Sequence, residues 1–152
     1  MKARLFVLFV VGFVLNFLWE KAHSVLYVSH NGMEMTHRHL AGAALFDAVV
    51  ITALAYLCFY SPLLKGALPS PALDEAASAG RSAGGISLFV FALFIFAILL
   101  EKYALATGRW VYADAMPIIP LLNVGLTPMI QLGLLGYLSL SFTGWIEKGS
   151  SL

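Results

Sequence analysis

The chain has 152 residues, 61% of them hydrophobic and only 11% charged, with a mean hydropathy of +0.88 and a formal net charge of +1. A soluble domain of this length needs far more charge to cover its surface, so a water-soluble globular fold is excluded. The near-neutral balance also gives no basic face for nucleic acid, and the single cysteine, Cys58, excludes disulfides within the chain.

A hydrocarbon core of about 30 Å is crossed by roughly 20 residues of helix. Four segments qualify, at about Leu5–Val28, Leu40–Leu64, Gly84–Thr107 and Ile118–Thr143. Met1-Lys2-Ala3-Arg4 before an apolar stretch has the look of a signal peptide. The stretch runs into Asn16 and Trp19-Glu20-Lys21 without a small-residue cleavage site, so it reads as a retained first span. Cys58, inside the second apolar run, reads as a small buried hydrophobe. Between spans two and three, "KGALPSPALDEAASAGRSAGG" is a loop by its prolines, glycines and small polar residues. Trp19, Tyr27, Tyr60, Trp110, Tyr112 and Trp145 stand where spans should meet headgroups. The expected class is an all-α integral membrane four-helix bundle forming a single domain.

Lys2, Arg4, Lys65, Arg81 and Lys148 would share one side of the membrane, and Lys21, Arg38, Lys102 and Arg109 the other. Lys21 and Lys102 directly follow acids at helix ends and count for less. Both termini are therefore expected on the cytoplasmic side of a plasma membrane. "NFLWEKAHS" and "AILLEKYAL" place Leu-x-Glu-Lys at the same end of spans one and three. Asp47 follows Glu20 by the same interval at which Pro128, flanked by Thr127 and Gln131, follows Glu101. Two parallel-repeat hairpins are one reading; chance recurrence of Glu-Lys at helix ends is the other.

The polar groups are the candidate site. At 1.5 Å per residue Glu20 lies about 24 Å along the helix from Arg4, inside the far leaflet. Asn16, Glu20, His23 and Tyr27 make one stripe, and Asp47 sits about two turns into span two. Glu101 ends the third apolar run, and Asn123, Thr127 and Gln131 repeat every four residues in span four. A charge at the bilayer centre costs at least about 2.5 kcal/mol, so such groups are expected to face inward. Glu20, Glu101 and Asp47 are the candidate catalytic acids. Asn16, His23, Trp110, Tyr112, Asn123, Thr127 and Gln131 are the candidate ligand-binding groups. The bland alternative is that each polar group only joins helices, at about 0.6 kcal/mol per bond, or snorkels to the headgroups.

The loop "YVSHNGMEMTHRHLAG" offers His30, Glu34, His37 and His39 as metal ligands, but without a His-x-x-x-His or Glu-x-x-His pair. Asn31-Gly32 reads as a turn and Thr36 as the cap of span two, so no cofactor is expected. Pro117 and Pro120 predict irregular backbone at the start of span four, and Gly125 with Pro128 a kink within it. The segment from Gly108 to Pro128 is thus expected to form a lid over the pocket, carrying Trp110 and Tyr112, or else an interfacial anchor.

"EKYALATGRWVYADAMPIIP" resembles the membrane-embedded lycopene-cyclase and carotenoid-hydratase type of protein, through Glu101, Gly108, Trp110, Tyr112 and Pro120. The paired glutamates that those cyclases carry after the proline are replaced here by Leu121-Leu122. "NFLWE" resembles membrane terpene cyclases that use an acid after Trp, and the whole chain resembles small four-helix membrane proteins of prokaryotes. These resemblances imply an isoprenoid ligand and acid/base chemistry.

Three functions remain from the sequence. The first is binding or transformation of an isoprenoid or other lipid, with Glu20 and Glu101 as proton donor and acceptor. The second is a proton-coupled carrier or channel, and the third an assembly subunit of a membrane complex. The apolar runs "LFVLFVVGF" and "FVFALFIFAI" close the inner half and favour the first. The partners expected are membrane lipids and a hydrophobic small molecule, with no nucleic acid; the oligomeric state is left open.

Overall fold

The computed structural model describes residues 2–30, 36–61 and 83–149. Four helices are long and apolar enough to cross a membrane, at Lys2–Leu26, His37–Phe59, Gly84–Ala106 and Leu126–Ile146. In chain order the elements are α1 (Lys2–His23), a short 3-10 turn (Ser24–Leu26), β1 (Tyr27–His30), α2 (His37–Phe59), α3 (Ala83–Ala106), β2 (Trp110–Tyr112), β3 (Ile118–Ile119), β4 (Val124–Gly125) and α4 (Leu126–Gly149). The protein is an all-α membrane four-helix bundle with two small antiparallel ribbons, β1 with β2 and β3 with β4.

α1 packs along α2 and α4, and α3 along α4 and, less closely, along α2. α1 and α3 are therefore diagonal partners. Phe6, Leu18, Phe91 and Leu99 point outward, while Asn16, Glu20, Asp47 and Glu101 are buried. This inside-out polarity is what a hydrocarbon solvent requires. Hydroxyls within the spans bond their own helix one turn back: Thr52 to Ala48 O, Ser139 to Leu135 O and Thr143 to Ser139 O. With no water to serve them, this is their nearest acceptor.

One half of the bundle is a dry core of Leu8, Ile51, Ala55, Cys58, Phe89, Leu93 and Leu140. Close approach of α3 and α4 in this region depends on Gly133 and Gly136. A Cβ on Gly133 would lie 2.7 Å from the Phe94 ring, and one on Gly136 would overlap Leu93. The small-residue motif on α4 is thus consumed inside the chain.

The ends of the helices differ from the sequence expectation. α1 stops at His23, and the chain continues through the 3-10 turn into β1. α2 stops at Phe59, with Tyr60 as its C-cap and Ser61 outside the helix; the rest of the expected extension to Leu64, and most of the loop after it, lie outside the described residues. The fourth helix begins at Leu126, because 118–125 folds into the β3–β4 ribbon with Ile118 opposite Gly125. Asn123 occupies a left-handed conformation at φ 53° in this turn, which asparagine tolerates better than most residues. Pro128 falls in the first turn of α4, where a missing N–H leaves no hydrogen bond unmade. The expected mid-span kink is therefore a helix start.

Gly136→Ala should destabilise the bundle by about 1–3 kcal/mol through overpacking against Leu93. Gly42→Ala on α2, where an added Cβ meets nothing within 4 Å, should be neutral or stabilising. Thermal unfolding of the full chain in detergent, with both variants, checks the contrast.

Candidate functional site

The site is built from two hydrogen-bonded groups on the walls of one cavity. The first joins three helices. Gln131 of α4 directs its amide nitrogen at Glu20 Oε1 of α1 (2.7 Å), Asp47 Oδ2 of α2 (2.9 Å) and Asn16 Oδ1 (3.3 Å). A primary amide has two N–H groups, so the two shorter contacts take them and the third is secondary. Asn16 is locked by its own N–H to Gly12 O at 2.8 Å, which turns its oxygen toward Gln131. Glu20 and Asp47 are consequently no farther apart than two hydrogen-bond lengths.

The second group surrounds Glu101. Just past the end of α3 at Ala106, Gly108 adopts φ 65°, with Gly108 N–H bonded to Leu105 O and Arg109 N–H to Ala104 O. This Schellman closure reverses the chain. β2 then pairs with β1, Trp110 opposite His30 and Tyr112 opposite Tyr27. Trp110 and Tyr112 are two residues apart on a strand and face the same way, back toward Glu101. Trp110 Nε1–H donates to Glu101 Oε2 at 3.3 Å, and the Tyr112 hydroxyl donates to the same oxygen. Tyr112 in turn accepts the Gly125 N–H at 2.9 Å, tying the β3–β4 ribbon to the acid. Gly125 has no room for a side chain, since a Cβ would lie 2.9 Å from both Met116 Sδ and the Pro128 ring.

The cavity measures about 380 Å³. Glu20, Asp47, Glu101 and Gln131 line its buried end, and Gly42, Ala43, Phe46, Ala97, Leu100 and Leu132 give it apolar walls. Tyr27, Arg38, His39, Arg109, Trp110 and Pro128 complete the lining, with Arg38 and Arg109 exposed. Arg109 also lies 5.7 Å from the Tyr103 ring centre. Lys21 and Lys102 are exposed, while the acids that precede them are turned inward.

Of the residues singled out from the sequence, Asn16, Glu20, Asp47 and Gln131 form one group, and Glu101, Trp110 and Tyr112 the other. Asn123 is exposed in the ribbon turn and does not line the cavity, because the helical repeat that put it beside Gln131 is interrupted by β3 and β4. Thr127 points away, to Met116 Sδ at 3.3 Å. His23 packs between Trp19 and Tyr27, outside the lining, with both ring nitrogens buried and unpartnered. Tyr27, His39, Arg38 and Arg109 also line the cavity, although the sequence marked Tyr27 only as an interfacial member of the Glu20 stripe, His39 as a metal ligand and the two arginines as topology signals.

Thr36 caps α2, and His39 Nδ1 accepts its backbone N–H at 3.4 Å. His37 is exposed. The His30 side chain and Glu34 lie outside the described residues. Among the described residues, no three His, Cys, Asp or Glu side chains converge on a metal position. No protein-family model, curated protein or solved structure matches the chain.

Burial, reinforced by the carboxyl groups beside them, raises the Tyr27 and Tyr112 phenols above the ordinary tyrosine value. Both stay protonated donors across the physiological range. A raised folded-state value means that their stabilisation is intact below the unfolded value of about 10 and is lost as pH rises beyond it. Ultraviolet titration should show that Tyr27→Phe and Tyr112→Phe remove only the last-ionising part of the curve. Loss of signal near pH 10 in either variant would mean the phenol is solvated.

Proposed function

We propose that this chain binds an isoprenoid or related unsaturated lipid within the membrane and moves a proton on it. Glu20, Asp47 and Glu101 are the acid/base groups. The observation that carries this reading is the placement of three buried carboxyl groups from three helices in one cavity that also has a continuous apolar wall of Gly42, Ala43, Phe46, Ala97, Leu100 and Leu132. Ligand sites of this kind combine a hydrophobic surround with a few fixed polar groups.

The two acid groups suit different roles. Glu101 receives two hydrogen bonds on one oxygen from aromatic side chains that are themselves held by β1 and the β3–β4 ribbon. It is a fixed group at the edge of the cavity. Glu20 and Asp47 share one amide, so a proton gained or lost by one alters the hydrogen bonding available to the other. Such a coupled pair can accept a proton from a ligand that Glu101 has protonated, or the reverse. The apolar walls exclude water from the developing positive charge on an unsaturated chain. Gly42 and Ala43 on α2 and Ala97 on α3 line the same cavity, and a lipid reaches the acids between these two less closely packed helices.

Proton-coupled transport is less well supported, because the opposite half of the bundle is filled by Phe89, Leu93, Ile51 and Leu8, all buried. An assembly role through the small residues of α4 is not favoured, since Gly133 and Gly136 are covered by Phe94 and Leu93. With both termini cytoplasmic, the cavity opens to the outer face of the plasma membrane.

Gly42 lines the cavity, and a Cβ added there meets nothing within 4 Å, so Gly42→Leu is the substitution chosen to fill it. Native mass spectrometry of purified protein should show a stoichiometric isoprenoid or lipid on the wild type and its loss in Gly42→Leu, with unchanged unfolding temperature. Equal lipid occupancy in both proteins would contradict ligand binding at this cavity.

A further inference from the structure

The cavity is polarised along its length. Its buried end is acidic, while its exposed end carries two guanidinium groups from different elements, Arg38 in the first turn of α2 and Arg109 just past the end of α3. His39, half-buried, lines the cavity beside Arg38. Along α2, Arg38 and Asp47 are about 13 Å apart at 1.5 Å per residue. Two cations at one opening, with an apolar passage between them and the acids, do not match a purely hydrocarbon ligand. They also do not match a cationic amphiphile, whose head the two arginines would repel.

We propose that the ligand is an anion-headed amphiphile, an isoprenyl chain ending in a phosphate monoester. Arg38 and Arg109 hold the head at the cavity mouth while the chain runs inward to Glu20, Asp47 and Glu101. A phosphate dianion matches two separate guanidinium groups better than a single carboxylate does, because each forked guanidinium can engage its own pair of oxygens. Among the described residues neither arginine is joined to a carboxylate, and the Arg109 contact with Tyr103 leaves its N–H edges available. Holding the head at the water-facing end also fixes the depth to which the chain enters. The acids therefore meet one stretch of the chain and not another, so the arginines are positioning and specificity residues.

The proposal rests on the lipid cavity proposed above, and its test separates the two. Full-length protein in non-ionic detergent is titrated with farnesyl phosphate, farnesol and inorganic phosphate, using wild type, R38Q, R109Q and Gly42→Leu. Wild type should bind farnesyl phosphate at least about tenfold more tightly than farnesol, the order supplied by one charge-assisted hydrogen bond. R38Q and R109Q should each remove most of that preference while leaving farnesol affinity within about twofold, and Gly42→Leu should weaken both lipids. Equal affinity of wild type for the phosphate and the alcohol overturns the head-group site but leaves the lipid cavity standing. Loss of all lipid binding in wild type overturns both. Inorganic phosphate binding as tightly as farnesyl phosphate would assign the arginines to a soluble anion. Farnesyl phosphate binding undiminished in Gly42→Leu would assign them to bulk headgroups, and either result overturns the proposal.

Discussion

A primary amide has two N–H groups, and in this bundle both are committed to carboxyl oxygens on different helices. Gln131 sits on α4 and reaches Glu20 on α1 and Asp47 on α2. In hydrocarbon neither acid has water as an alternative partner, so the position of each helix is constrained by the need to present its acid to the same nitrogen. Asn16, held by Gly12 O, sets the rotation of α1 about its axis. Gly12 itself, 3.8 Å from Ala48 by its missing Cβ, lets α1 and α2 approach closely enough for the contact. Packing and polarity thus depend on one another: small residues bring the helices together, and the amide determines their register.

α3 is outside that knot and is positioned differently. Its acid is bound by Trp110 and Tyr112, which the chain delivers by reversing at Gly108 and pairing β2 with β1. Because β1 directly follows the α1 turn, the ribbon links the ends of the two diagonal helices that carry Glu20 and Glu101. Each half of the chain supplies a helix ending near an acid, a strand and a returning helix. The second half adds the β3–β4 ribbon before its returning helix. The space between the two anchoring schemes is the cavity, and the weaker α2–α3 packing beside it is the cost of holding α3 by its end.

Much of this architecture was legible in the sequence because hydropathy and helical period are local signals. Four apolar runs of sufficient length became four helices, and the stripe of Asn16, Glu20 and His23 is buried along α1 as its spacing implies. What failed to read through was non-local or irregular. The pairing of Tyr27–His30 with Trp110–Tyr112 spans most of the chain, and no periodicity announces it. Asn123 looked like a helical neighbour of Thr127 and Gln131 because the interval of four was right. The prolines at 117 and 120 and the left-handed turn at Asn123 instead end that register before the helix begins. Thr127 and Gln131 do lie on the same helix, but Met116 lies against one and the acids against the other. Arg38 and Arg109 looked like topology signals, and only the structure places them on one cavity.

The central claim is that Gln131 joins Glu20 and Asp47 across three helices. A double-mutant cycle measures this directly, with Asp47→Ala and Gln131→Leu, singly and together, and unfolding free energies in a fixed detergent mixture. Side chains in one hydrogen-bonded network should couple by about 0.5–3 kcal/mol, so the double variant should lose clearly less stability than the two singles added together. Additive losses, with no coupling beyond error, would show that the amide and the carboxyl do not meet.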